Sequence, residues 1–88
     1  MEKTLYHREY RILLDLLKEA RLVRDVSQIE LADRLGMTQS MVSKCERGER
    51  RLDVIELRRW CHAIGVPFGL FVERFEDALK AKGRTPIG

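Results

Sequence analysis

The sequence predicts an all-α fold of five helices, and three observations carry that reading. Apolar residues recur at three- and four-residue spacing in five successive stretches. No stretch alternates with the period of two that a half-buried strand needs. Capping residues and glycines punctuate the chain at short intervals, leaving connections of about two to five residues, normal for a small helical domain. Residues 1–79 are read as one domain and 80–88 as a polar, frayed tail with Gly83 and Pro86.

The first helix spans Tyr6 to Arg24, with Tyr10, Leu13, Leu14, Leu17 and Ala20 on its apolar stripe. Ile12, Leu16 and Leu22 fall off that stripe and are expected to be half exposed. Asp25 and Val26 break the pattern. Ser27-Gln28-Ile29-Glu30 then forms a capping box, in which the Ser27 hydroxyl accepts the Glu30 amide and the Glu30 carboxylate reaches back. The short second helix turns Leu31, Ala32 and Leu35 inward and stops at Gly36. Thr38 caps a third helix from Gln39 to Arg47, with Gly48 as its stop.

A second capping box, Asp53 with Glu56, opens the fourth helix, and Leu52 and Leu57 are placed as a hydrophobic staple. That helix is expected to bury Val54, Leu57, Trp60, Cys61 and Ile64 and to end at Gly65. Pro67 suits the first position of a fifth helix, where its missing N–H costs nothing. Phe68, Phe71, Val72, Phe75 and Leu79 share one face of it. Two uses of that face stay open: packing into the chain's own core, or a seam between two copies.

Composition narrows the function. With 88 residues the chain buries only about 60–65% of its unfolded surface, too little for an enzyme with separate substrate and cofactor layers. No apolar run approaches the roughly 20 residues of a membrane span. The amino terminus has no apolar leader core, so a cytoplasmic location is expected. His7 and His62 stand beside no nucleophile pattern, and Cys45 and Cys61 lack metal spacing, so neither catalysis, metal nor cofactor is expected. The net charge of +3 is small, but it is local. Residues 34–59 hold seven basic residues against four acidic ones, a phosphate-facing surface in outline.

That basic segment surrounds two short helices joined by a glycine-containing turn. At 100° per residue from Gln39, Ser43 falls at about 40°, Arg47 at about 80°, Ser40 at about 100° and Lys44 at about 140°. Met41, Cys45 and Val42 fall on the opposite arc, at about 200°, 240° and 300°. The outer arc therefore carries amide, hydroxyl and cationic groups and no carboxylate. Glutamine fits the major-groove edge of adenine, lysine fits guanine, and serine serves either. A solvated polar face is the plain alternative, and the short partner helix, the turn and the local charge favour DNA over it.

The run Ser27-Gln28-x-x-Leu31-Ala32-x-x-Leu35-Gly36-x-Thr38-Gln39-Ser40-x-Val42-Ser43-Lys44-x-Glu46-Arg47-Gly48 resembles the lambda-repressor/Cro-type helix-turn-helix domain, also called the XRE family. The resemblance extends over about residues 10–72, with its motif at about 27–48. It implies that Gln39, Ser40, Ser43 and Lys44 reach base edges. It implies that Gln28, Thr38 and Arg47 hold the DNA backbone, joined by Arg50 or Arg51, and that Gln28 braces Gln39. It makes Arg21 and Glu46 a partly buried structural ion pair. It further implies a sequence-specific transcriptional regulator of repressor or controller type, binding double-stranded DNA as a homodimer on a palindromic site, in some cases touching RNA polymerase. The rival reading is an antitoxin-like or adaptor module whose fifth helix holds a toxin-like or other partner protein. Three residues depart from the pattern. Asp25 stands where glycine is usual, so a longer turn or a helix without a left-handed cap is expected. Ile29 stands where the family is usually polar, and Cys45 where it usually has isoleucine.

Overall fold

The computed structural model describes residues 3–81, with side chains from His7 onward. Five helices follow one another: α1 (Lys3–Val23), α2 (Gln28–Leu35), α3 (Gln39–Glu46), α4 (Val54–Ile64) and α5 (Phe68–Ala81). Among the described residues there is no strand. α1 begins three residues earlier than the periodicity suggests, and α5 carries Lys80 and Ala81 as helix. The expected tail from residue 82 on lies outside the described residues.

Both capping boxes are formed. Glu30 donates its amide to Ser27 Oγ at 3.0 Å and returns its carboxylate to the Ser27 amide at 2.9 Å. Asp53 and Glu56 do the same at 2.7 and 3.0 Å. These reciprocal bonds satisfy donors that would otherwise be orphaned at a helix start, and they fix where α2 and α4 begin. Pro67 sits one residue before α5, its carbonyl accepting the Phe71 amide at 3.0 Å.

The Asp25 expectation needs correction. α1 does close through a left-handed residue, and that residue is Asp25 itself, at φ +58°. The Val26 amide returns to the Arg21 carbonyl at 3.1 Å, so the turn keeps its short length. Aspartate is among the few non-glycine residues that enter this region readily.

The core gathers Leu17, Val26, Leu31, Ala32, Val42, Cys45, Trp60, Cys61, Ile64 and Phe71 from all five helices. Cys45 is fully buried, as is Val42, so the inner arc of α3 is anchored from end to end. Val54 is not in that core: it is 62% exposed, at the margin of the apolar arc in the first turn of α4. The α5 stripe also divides. Phe71 and Leu79 are buried in the chain's own core, Phe68 and Phe75 are half-buried, and Val72 is exposed. The face is therefore divided between inward packing and surface left to solvent.

Candidate nucleic-acid interface

The interface is built outward from a buried ion pair. Arg21 on α1 reaches Glu46 on α3 with two parallel bonds, Nε to Oε2 at 2.7 Å and Nη2 to Oε1 at 3.1 Å. Its remaining Nη1 donates to the Val26 carbonyl at 2.8 Å. Both side chains are only 6% exposed. A fork-on-carboxylate arrangement of this kind is strong and directional, and its burial makes either partner costly alone.

From that pair a hydrogen-bond chain runs to the surface. Gln28 at the start of α2 donates Nε2 to Glu46 Oε1 at 2.9 Å. Gln39 at the start of α3 donates Nε2 to Gln28 Oε1 at 3.1 Å. One hydrogen and the carbonyl oxygen of the Gln39 amide stay unspent, which is the donor-acceptor pair adenine's major-groove edge accepts. The two helix starts are thus brought together although eleven residues separate the glutamines.

Around Gln39 the other residues take distinct positions. Ser40 and Lys44 are exposed, and Ser43 is half-buried. Thr38 caps α3, its Oγ1 accepting the Met41 amide at 3.1 Å. Arg47 donates to Ser43 Oγ and forks onto Glu49 at 2.9 and 3.2 Å. That contact lowers the Glu49 carboxyl pKa below its ordinary value and raises that of Arg47. Arg47 is therefore exposed but carries its own counter-ion.

Arg50 and Arg51 separate. Arg50 is bound to Glu56 at 2.7 Å and lies 3.8 Å from Cys45 Sγ, so it ties the 47–53 loop to α4. Arg51 faces outward over the Tyr10 ring, 4.2 Å from its centroid, while Tyr10 Oη accepts the Leu52 amide at 3.0 Å. Sequence reasoning missed Arg11, which donates to the Arg47 carbonyl at 3.0 Å and places a cation on the negative end of α3. Thirty-six residues separate the two, and no local signal reveals such a contact.

Residues 17–71 match the family profile described as Helix-turn-helix. A solved structure of an XRE-family like protein from Pseudomonas syringae pv. tomato str. DC3000 is 47% identical in sequence. The match covers 86% of this chain and 93% of that one, with a TM-score of 0.81. The chain belongs to the XRE family of helix-turn-helix proteins. No match is found among curated proteins. As an XRE-family member it is a DNA-binding transcriptional regulator, and the α2–α3 pair is its helix-turn-helix.

Other chemistry in this XRE-family chain is sparse. Among the described residues no cluster of three metal-ligating side chains occurs, and no helix is long and apolar enough to cross a membrane. Burial pushes the Cys61 thiol up to about 11 and raises Cys45 as well, which leaves both protonated and inert near neutrality.

The Glu56 carboxyl, by contrast, is held below its ordinary value, first by the Arg50 hydrogen bond and then by the Asp53 amide. A carboxyl whose folded pKa is depressed stabilises the fold above its unfolded value, 4.5, and loses that contribution as pH falls through the folded value. Glu56→Gln is accordingly expected to melt below wild type at pH 7. The two melting temperatures should converge in acid below the folded pKa of Glu56. Parallel melting curves over the whole range would show that the Arg50–Glu56 contact is not the cause.

Proposed function

We propose that the chain is a cytoplasmic, sequence-specific regulator of repressor or controller type that inserts α3 into the major groove and binds a palindromic site as a dimer. The single observation behind this reading is the chain of bonds from the buried Arg21–Glu46 pair through Gln28 to Gln39. It holds a reading amide rigidly at the surface, and rigid placement is what base discrimination requires. Gln39 and Ser40 read base edges, and Ser43 and Lys44 follow one turn later. Gln28 and Thr38 meet phosphate at the two helix starts, where free amides and the helix dipole favour anions. In a dimer the two copies of α3 lie about 34 Å apart, one turn of DNA.

The backbone clamps follow from the arginine geometry. Arg47 exchanges Glu49 for a phosphate on docking, and Arg51 takes a second phosphate from its seat on Tyr10. Arg50 stays with Glu56 and serves the loop. With Phe71 and Leu79 packed inward, a seam or partner contact on α5 would use Val72 and the outer sides of half-buried Phe68 and Phe75.

Salt dependence of DNA affinity, followed by fluorescence anisotropy, tests this division. Arg47→Ala and Arg51→Ala should each reduce the slope of log affinity against log salt by about one. Arg50→Ala should leave the slope unchanged while lowering the melting temperature. Equal slopes for all three variants and wild type would remove the clamps from the account.

A further inference from the structure

A single exposed aliphatic side chain is ordinary on a protein surface, so Ile29, at 66% exposure, says little by itself. Its surroundings say more. Ile29 lines an open cavity of about 330 Å³ together with Glu30, Ala32, Asp33, Met37 and Gln39. The amide assigned to base reading is thus one wall of a recess whose other walls include three apolar side chains. When Gln39 lies against a base edge, those walls lie beside the same base pair.

The chemistry of the recess selects its occupant. The two acidic residues in the lining repel a phosphate, and the Glu30 carboxylate is fixed in place by the Ser27 amide at 2.9 Å. Of the groups exposed in the major groove, only the thymine 5-methyl is apolar. We propose that Ile29, with Met37 and Ala32, forms a seat for the methyl group of a thymine at or next to the base pair that Gln39 reads. The inference rests on the regulator reading and deepens it, adding Ile29 on α2 to the specificity determinants on α3. Gln39 then serves twice, as a hydrogen-bonding reader and as the polar wall that sets the methyl's position.

The test removes a methyl and nothing else. Once a site has been selected from random duplexes, each thymine is replaced in turn by deoxyuridine and binding of the intact chain is measured. Wild type should lose about fourfold in affinity at one thymine per half-site, the value of a single buried methyl. Ile29→Ala should bind the all-thymine site about fourfold more weakly and become indifferent to deoxyuridine at that position. Ile29 is exposed, so this variant is expected to melt with wild type, and the wild-type scan needs no variant at all. A scan with no sensitive thymine beside the Gln39 position overturns the seat, as does an Ile29→Ala protein that keeps the full deoxyuridine penalty. Failure to enrich any site sinks the regulator reading and this inference together, whereas a defined site without methyl sensitivity sinks this inference alone.

Discussion

Replacing Glu46 by alanine is expected to cost about 3–5 kcal/mol of folding stability. The total stability of a folded domain is about 5–15 kcal/mol, so the variant should lose a large part of its margin and melt well below wild type. Most of the loss comes from stranding the Arg21 guanidinium, which is 5% exposed and keeps only the Val26 carbonyl as a partner. Arg21→Met combined with Glu46→Met should recover much of the loss, because neither charge is then buried alone. Urea unfolding of Arg21→Met, Glu46→Met and the pair forms a double-mutant cycle. A Glu46→Ala protein that loses less than about 1 kcal/mol would mean that the buried pair does not hold α1 to α3.

Gln39→Ala should leave the fold intact and change what the protein recognises. Gln39 is exposed at the first position of α3, and among the described residues its side chain bonds to Gln28 alone. Losing its bidentate contact should cost about 1–3 kcal/mol on the preferred site and relax preference at one or two base pairs. Nonspecific affinity and its salt slope should stay at wild-type values, since no phosphate contact is removed. Competition against single-base variants of the site provides the comparison. An evenly weakened protein with unaltered base preference would make Gln39 a positioning residue.

The local parts of this structure were legible because their causes lie within a few residues. Ser27 with Glu30, Asp53 with Glu56, and the stops at Gly36, Gly48 and Gly65 each follow from bonds spanning one helical turn. The Arg21–Glu46 and Gln28–Gln39 contacts were reached through family resemblance, since spacing alone does not specify which distant residues meet. The arginines of the 47–53 loop were not separable from sequence. Whether Arg50 or Arg51 turns inward depends on Glu56 and Tyr10, which lie on different helices.

The α5 stripe shows a different limit. A period of 3.6 reveals that a face is apolar, but burial of Phe71 and Leu79 depends on how α5 lies against the rest of the core. Asp25 shows a third. Its side chain predicts a helix end without a left-handed cap, yet the backbone bond from Val26 to Arg21 and the guanidinium bond to the Val26 carbonyl fix that turn from outside.

The central claim is that a rigid face of α3, held through Gln28 by the buried ion pair, reads DNA sequence. Selection from a random duplex library, with the enriched site then titrated across a salt series, tests it most directly. The account predicts one enriched palindromic motif with half-sites about one helical turn apart and an affinity that falls as salt rises. A library that enriches no motif, with binding indifferent to salt, would contradict it.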